Sequence, residues 1–175
     1  PPLKILDIGT GTGCIGISLA KHLPNAEVYA LDVSPKTLEI AQFNAQQNDV
    51  KLNIIQANVL EWKPTDFSFD LIVSNPPYVR QSEKELMAPN VLEYEPHLAL
   101  FVENNNPLVF YEAIVALSTE ALKKNGVLYF EINEYLADET KALFSSDNFE
   151  DVQLKTDIFG KNRMMRASKR WFFVY

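Results

Sequence analysis

Short apolar runs alternate with longer amphipathic stretches along most of this chain. The apolar runs are predicted strands at 4–8, 26–31, 52–56, 70–74 and 127–132, and the amphipathic stretches are predicted helices at 14–22, 35–47, 108–122 and 135–144. Because strands separated by helices form βαβ units with right-handed crossovers, we predict an α/β fold with a mostly parallel, doubly wound sheet.

Two further strands are predicted at 149–154 and 164–174. Only about ten residues separate them, which is too few for the helical crossover that parallel neighbours need. We therefore expect an antiparallel hairpin at the C-terminal edge of the sheet. A flavodoxin-like sheet without this hairpin is the alternative.

The composition limits both the size and the chemistry of the protein. Its 175 residues are 47% hydrophobic, which suits one ordinary domain, and no apolar run approaches the length of a membrane-spanning helix. The net charge of −7 disfavours a broad nucleic-acid surface, and one cysteine with two histidines offers neither a disulfide framework nor a metal site. We expect a cytoplasmic protein, cut from a longer chain because the sequence opens with Pro1 rather than Met.

Four of the six glycines fall within the first 16 residues, directly after the first predicted strand. Ligands of open α/β sheets bind at the carboxyl ends of strands, where the winding reverses. Glycines there let the backbone approach a ligand closely, and the helix that begins at Cys14 adds unpaired N–H groups. The pattern predicts a ligand site at Gly9, Gly11, Gly13 and Gly16.

Two nucleoside cofactors compete for this turn. Residues 11–16 match the G-x-G-x-x-G dinucleotide fingerprint, but the first glycine of that fingerprint ends the strand, where Gly9 stands. Counted from Gly9, Cys14 occupies the third glycine position, which argues against NAD. Asp7 precedes the turn, and its carboxylate suits a ligand with an ammonium and a sulfonium group better than a pyrophosphate. The D-x-G-x-G-x-G run over residues 7–13 resembles motif I of the class I S-adenosylmethionine methyltransferases.

Polar residues at two further strand ends also suit a nucleoside. Asp32 ends the second strand, where a carboxylate can accept hydrogen bonds from both ribose hydroxyls of NAD or S-adenosylmethionine. As an alternative, Asp32 caps the helix that begins at Pro35. Asn58 and Val59 follow the third strand, and the side-chain carbonyl of Asn58 can accept the adenine amino group unless this is a plain surface turn.

The fourth strand closes with Ser74-Asn75-Pro76-Pro77-Tyr78. The two prolines fix the backbone and remove two N–H donors, which leaves the carbonyl of Pro76 and the side chain of Asn75 as acceptors. By gripping the two hydrogens of a planar NH₂ group, these acceptors would aim its lone pair at a methyl group and stabilise the positive charge that develops on nitrogen. Tyr78 offers a flat face for the planar group. We predict Asn75, Pro76 and Tyr78 as catalytic residues and the whole tetrad, with Pro77, as the substrate contact.

At this level of detail the chain resembles the catalytic domain of the peptide chain release factor glutamine N5-methyltransferases. The likeness is carried by residues 5–13, 73–79, 94–100 and 157–163, which together span nearly the whole chain. The resemblance implies a Rossmann-like class I methyltransferase domain over residues 1–175, with S-adenosylmethionine as cofactor and the glutamine of a release factor as substrate. It also implies a helical N-terminal domain that this chain lacks. The expected cofactor contacts are Asp7, Gly9, Thr10, Gly11, Thr12, Gly13, Asp32, Asn58, Val59 and Asn75.

The chain departs from the family pattern at three positions. The family commonly has an acidic residue where Asn58 stands, and often an aromatic one at Val59. Its Glu-x-Gly after the fifth strand is here Glu131-Ile132-Asn133. Because asparagine tolerates a left-handed backbone, we expect Asn133 to keep the turn of that glycine.

Two further features each allow two interpretations. The long connection at 75–107 is too apolar for a disordered linker, so we interpret it as a structured flap over the site. Within it, Glu95 and His97 either belong to the site or are plain loop side chains. The late basic residues either face a ribosomal or tRNA-like partner or, as we favour, form a solvated strand edge. They are Lys155, Lys161, Arg163, Arg166, Lys169 and Arg170.

Methylation of a protein glutamine is the leading hypothesis. Methylation of an exocyclic amine in RNA or DNA shares the logic of the tetrad but needs a basic surface, and the net charge of −7 argues against it. An S-adenosylmethionine-binding module without catalysis conflicts with the intact tetrad, and an NAD oxidoreductase conflicts with the glycine register. We expect neither a membrane partner nor a direct nucleic-acid substrate.

Overall fold

The structure, a computed structural model, describes residues 1–65, 68–80, 101–102 and 105–170. Its strands are β1 (Lys4–Ile8), β2 (Glu27–Asp32), β3 (Asn53–Gln56), β4 (Phe69–Ser74), β5 (Val79–Arg80), β6 (Phe101–Val102), β7 (Leu122–Glu131), β8 (Phe149–Thr156) and β9 (Asn162–Lys169). Its helices are α1 (Cys14–His22), α2 (Pro35–Gln47), α3 (Val109–Ala121) and α4 (Ala137–Ala142), and a 3₁₀ turn at Glu134–Leu136 precedes α4.

Seven of these strands form one sheet in the order β3-β2-β1-β4-β7-β9-β8. The first five in this order are parallel, whereas β9 runs antiparallel to both β7 and β8. The predicted parallel sheet with an antiparallel hairpin at its C-terminal edge is confirmed, and the alternative without the hairpin is wrong. The short strands β5 and β6 pair in parallel with each other in a separate sheet.

Apolar side chains cover both faces of the central strands. In β1, Leu6 and Ile8 belong to the larger hydrophobic cluster, while Ile5 belongs to a second cluster with Val28 of β2. Because successive side chains of a strand point to opposite faces, the two clusters lie on the two sides of the sheet. Parallel sheets are typically buried on both faces in this way, which leaves the ends of the strands as the place for a ligand.

Most predicted bounds near the site agree with the structure. The predicted spans of α1 and α2 match, and Ser34 caps α2 because its hydroxyl accepts a hydrogen bond from the N–H of Thr37 at 3.2 Å. The last predicted strand, 164–174, corresponds to β9, which begins earlier, at Asn162, and ends at Lys169; residues 171–175 lie outside the described part of the chain. Most of the predicted flap, with Glu95 and His97, also lies outside it.

The predicted boundary between α3 and β7 is wrong. The helix predicted at 108–122 includes Leu122, but α3 ends one residue before Leu122, and β7 begins there. Leu122 pairs with Phe69 of β4, and Asn125 lies inside β7 with a φ of 59°. A Cβ on Gly126 would lie only 2.9 Å from the carbonyl oxygen of Lys123. The Asn-Gly pair therefore forms an irregularity within a strand instead of ending a helix.

β8 forms one edge of the sheet, and its pairing with β9 is irregular. The register shifts between Glu150 and Gln153 and again between Lys155 and Thr156. Asp151, inside the first shift, has a φ of 53°. Irregularities of this kind bend a strand and increase its twist.

In the described part of the chain, no helix has the length and apolarity needed to cross a membrane. No group of three or more potential metal-ligating side chains comes together among these residues.

Replacing Ser34 with alanine tests the cap of α2. The change removes the acceptor for the Thr37 N–H, so the free energy of unfolding should fall by about 1 kcal/mol. Ser18→Ala is the matched control, because Ser18 is exposed within α1 and caps nothing. Urea denaturation measures both variants, and an unchanged stability of Ser34→Ala would show that this cap contributes nothing.

Candidate functional site

The carboxyl ends of β1 and β4 meet where the winding of the sheet reverses. β1 pairs in parallel with β2 on one side and with β4 on the other. The hydroxyl of Ser74, the last residue of β4, donates to the carbonyl of Ile8 at 2.7 Å. A Cβ built on Gly9 would lie 3.9 Å from the backbone oxygen of Asn75. The structure thus brings together the glycine turn (residues 9–13) and the tetrad (residues 75–78).

The glycine turn has a backbone that glycine adopts far more readily than other residues. Gly9, Gly11 and Gly13 have φ values of 68°, 57° and 91°. A Cβ on Gly13 would also lie 3.0 Å from Ile17 and 3.2 Å from Ala41. At Gly11, by contrast, no described atom lies within 4 Å of that position. Among the described residues, the turn is therefore open at Gly11, where a ligand can approach the backbone.

Asp7 holds the glycine turn from beneath. Its Oδ2 accepts hydrogen bonds from the hydroxyl of Thr10 at 2.7 Å and from the N–H of Gly16 at 2.9 Å. Its Oδ1 is buried and has no hydrogen-bond partner among the described residues. Burial raises the pKa of the carboxyl to about 6, although both hydrogen bonds act to lower it, and the carboxylate of Asp32 raises it further. Asp7 shapes the turn and retains unused acceptor capacity.

Asp32 lies at the end of β2, beside the glycine turn. Its Oδ2 accepts from the N–H of Gly11 and its Oδ1 from the N–H of Ser34, both at 3.0 Å. These bonds fix a half-buried carboxylate whose oxygens still have lone pairs for the hydroxyls of a diol. The alternative that Asp32 caps α2 is wrong, because Ser34 is the cap.

Three predicted cofactor contacts remain, of which Thr12 lies within the glycine turn and Asn58 and Val59 follow β3. Thr12 is exposed, and its carbonyl accepts a hydrogen bond from the side chain of Asn44 at 3.0 Å. The Oδ1 of Asn58 accepts from the N–H of Leu60 at 3.1 Å, which forms a local turn, so the surface-turn interpretation describes this residue in part. Val59 is half-buried and packs against the larger hydrophobic cluster.

The tetrad combines one exposed side chain with three more buried ones. Asn75 is exposed, Pro76 is buried, and Pro77 and Tyr78 are half-buried. The ring of Tyr78 packs against the larger hydrophobic cluster, and its hydroxyl donates to Oε1 of Glu131 at 2.9 Å. Asn75 is therefore the member of the tetrad whose side chain is most accessible to solvent.

Glu131, the last residue of β7, and Asn133, two residues further on, complete the surroundings of the tetrad, and the sequence did not identify them as part of the site. Glu131 binds the hydroxyl of Tyr78, and the side-chain N–H of Asn133 donates to the carbonyl of Tyr78 at 3.1 Å. The expected left-handed backbone at Asn133 is wrong, because its φ is −67°. The Glu-x-Asn spacing was visible in the sequence, but its contact with Tyr78 was not.

The late basic residues are mostly engaged with acidic groups. Ion pairs join Lys161 to Glu134, Arg163 to Asp157, Arg166 to Asp151 and Arg170 to Glu150. The ammonium of Lys169 donates to the carbonyl of Leu122 at 2.7 Å. Such pairing suits the solvated strand edge that we favoured over a nucleic-acid surface.

The sheet order and the glycine turn at the switch point are those of the class I S-adenosylmethionine-dependent methyltransferases. The crystal structure of TrmN from Thermus thermophilus matches with a TM-score of 0.70 over 97% of this chain and 45% of that chain. At 18% sequence identity, this similarity shows the fold alone. The family model described as the methyltransferase small domain matches residues 2–97, and the chain belongs to this family. The predicted fold class and the predicted cofactor, S-adenosylmethionine, are confirmed.

Two of the most similar relatives carry the name release factor glutamine methyltransferase. The protein from Flavobacterium psychrophilum is 56% identical over 168 residues, which are 96% of this chain and 59% of the relative. The protein from Bacteroides thetaiotaomicron is 44% identical over 167 residues, which are 95% of this chain and 60% of the relative. The resemblance inferred from the motifs is confirmed, and the chain spans about three fifths of the length of these relatives.

The raised pKa of Asp7 predicts a specific pH dependence of stability. Between the usual pKa of 3.8 and the folded value of about 6, the folded chain holds a proton that the unfolded chain has lost. Stability should therefore fall as the pH rises through this window, by up to roughly 3 kcal/mol from this group. Asp7→Asn should remove that component, because the amide does not titrate.

Urea denaturation of both proteins between pH 4 and pH 7 measures the difference between the two profiles. Parallel profiles for the wild type and Asp7→Asn would contradict the assignment. Acidic groups that do not interact with Asp7 contribute equally to both proteins and cancel in the difference.

Proposed function

We propose that this chain transfers the methyl group of S-adenosylmethionine to the side-chain amide nitrogen of a glutamine in a peptide chain release factor. The observation that carries the proposal is the exposed Asn75 beside the glycine turn, at the switch point of the sheet. The names of the two relatives support the substrate class.

The residues around the glycine turn fit S-adenosylmethionine. The open space at Gly11 admits a ligand against the backbone, and the half-buried carboxylate of Asp32 suits the ribose hydroxyls. The Asp7 oxygen that has no hydrogen-bond partner among the described residues adds negative potential beneath the turn, which suits the cationic methionine portion. When bound, the cofactor supplies a methyl group on a positively charged sulfur, which makes that methyl electrophilic.

The tetrad fits a planar amide as the methyl acceptor. An amide nitrogen is a poor nucleophile because its lone pair is delocalised into the carbonyl. Acceptors at the side chain of Asn75 and the carbonyl of Pro76 would hold the two N–H groups and direct the lone pair at the methyl carbon. The same acceptors stabilise the positive charge that develops on nitrogen during transfer.

The proposed reaction balances without a strong general base. A nitrogen–carbon bond forms, the sulfur–carbon bond breaks, and one amide hydrogen leaves as a proton. The nitrogen becomes strongly acidic only as the methyl group arrives, so a water molecule can accept this proton.

Methylation of an exocyclic amine in RNA or DNA is less well supported. The net charge of the chain is −7, and four of the late basic side chains lie in ion pairs with carboxylates. Neutralised cations provide little of the phosphate attraction that nucleic-acid binding requires.

Replacing Asn75 with alanine tests the acceptor site. The variant should bind S-adenosylhomocysteine almost as the wild type does, while methyl transfer to the release factor glutamine should fall about 10²–10³-fold. Asn148→Ala is the matched control, because Asn148 is an exposed asparagine that precedes β8 at the opposite end of the sheet.

Calorimetry with S-adenosylhomocysteine and mass spectrometry of the methylated release factor give the two readings. Near-normal turnover by Asn75→Ala would show that this side chain has only a structural role. A wild-type protein that methylates an RNA substrate instead would favour the alternative acceptor.

We also propose that recognition of the whole release factor uses contacts beyond this chain, in the helical N-terminal domain that the resemblance implies. A protein substrate typically needs an interface of about 1,200–2,000 Å². Contacts made equally in the ground and transition states lower KM and leave kcat unchanged. The isolated chain should therefore show a higher KM than the longer protein at a similar kcat, and equal KM values in steady-state kinetics would contradict this proposal.

A further inference from the structure

Tyr78, the last member of the tetrad, is held at both of its ends by one strand terminus. Its hydroxyl donates to Oε1 of Glu131 at 2.9 Å, and its carbonyl accepts from Nδ2 of Asn133 at 3.1 Å. Glu131 and Asn133 are two residues apart, so in extended backbone their side chains leave on the same side. Both the ring and the backbone of Tyr78 are therefore fixed.

The strand terminus that holds Tyr78 is itself anchored in the core. The hydroxyl of Tyr111, a fully buried residue of α3, donates to the carbonyl of Glu131 at 3.2 Å and accepts from the N–H of Asn133 at 3.3 Å. Its ring meets Phe130 edge-on, with 5.1 Å between the centroids. The N–H of Ile132 donates to the carbonyl of Arg163 in β9 at 2.9 Å. A terminus tied to a helix and to a neighbouring strand has little freedom to shift.

Charged groups surround the hydroxyl of Tyr78 as well. The positive charge of Arg163 acts on this hydroxyl and on Glu131, and its Nε lies 3.5 Å from Oδ2 of Asp157. Burial, followed by the carboxylate of Glu131, raises the pKa of Tyr78 to about 12, while Arg163 acts in the opposite direction. The hydroxyl therefore stays protonated at neutral pH and serves as a hydrogen-bond donor.

The tetrad is consequently fixed on both sides. Before it, Ser74 is bound to the carbonyl of Ile8 and paired within the sheet. After it, Tyr78 is bound by Glu131 and Asn133. The two prolines between them limit the backbone further, so the direction in which Asn75 points depends on both attachments.

We propose that Glu131 and Asn133 are positioning residues, which aim Asn75 and the carbonyl of Pro76 at the methyl acceptor by holding Tyr78. This inference rests on the proposed function and adds two residues that act through the tetrad without touching the substrate. Displacing a reacting group by about 1 Å costs roughly 10²-fold in rate, so a loosened tetrad lowers kcat more than it raises KM.

Variants of Asn133 separate positioning from stability. The Oδ1 of Asn133 also accepts the N–H of Tyr135 at 2.9 Å and caps the 3₁₀ turn. Asn133→Ser keeps a good capping residue but is too short to reach the carbonyl of Tyr78, whereas Asn133→Ala loses both bonds. Both variants should lose about 10–100-fold in kcat on release factor, and only Asn133→Ala should also lose thermal stability through the missing cap.

Variants of Glu131 test the other attachment. Glu131→Gln retains an acceptor for the Tyr78 hydroxyl and should keep more of kcat than Glu131→Ala. In protein labelled with ¹³C at the tyrosine ζ carbons, NMR follows the titration of Tyr78 without any substrate. Its titration should move to lower pH in both variants, because the carboxylate that raises its pKa is gone. Binding of S-adenosylhomocysteine should change by less than about twofold throughout, because the contacts described for Glu131 and Asn133 are with Tyr78, Tyr111 and Tyr135 rather than with the glycine turn.

The outcomes distinguish this inference from the proposed function. A wild type that methylates release factor, together with an Asn133→Ser variant of unchanged kcat, would overturn the positioning role. If the pKa of Tyr78 is the same in Glu131→Ala as in the wild type, the contact itself is overturned, whatever the substrate. A wild type that leaves release factor unmethylated would refute the proposed function, and the tyrosine titration would still report on the attachment.

Discussion

The parallel hydrogen bonding of β1 to both β2 and β4 is the constraint on which the site depends. The chain extends the sheet from β1 towards β3, then returns to the other side of β1 and continues from β4. Crossover helices on the two sides diverge at such a reversal and leave a crevice above the carboxyl ends of the strands. The glycine turn and the tetrad each follow one of these two strands, so they meet in the crevice whatever surrounds them.

The parts of the site whose signals are local could be predicted from the sequence. Glycines after a strand, the carboxylate of Asp32 at a strand end and two prolines after Asn75 each impose their geometry over a few residues. The α/β alternation then placed these signals at one edge of the sheet, because the carboxyl ends of parallel strands lie together. The span of α2 was predictable for the same reason, since its proline and its cap are adjacent in sequence.

The parts that depend on distant residues could not be predicted in this way. Glu131 and Asn133 lie 53 and 55 residues from Tyr78, and nothing in their own neighbourhood indicates which side chain they meet. Leu122 reads as the end of an amphipathic helix until its pairing with Phe69 is known. Asp7 was predicted only in part. Its place before the glycines indicates a ligand site, whereas its hydrogen bonds with Thr10 and Gly16, seen only in the structure, show that it also stabilises the turn.

The irregular pairing of β8 has a consequence for the protein at high concentration. An edge strand presents unpaired backbone groups that can recruit a strand from another molecule and begin a fibre. In β8 the two register shifts and the positive φ of Asp151 interrupt that row of groups, and charged side chains at Glu150 and Lys155 disfavour an apolar neighbour. The opposite edge, β3, offers only four residues. Both ends of this sheet are therefore poor templates for aggregation.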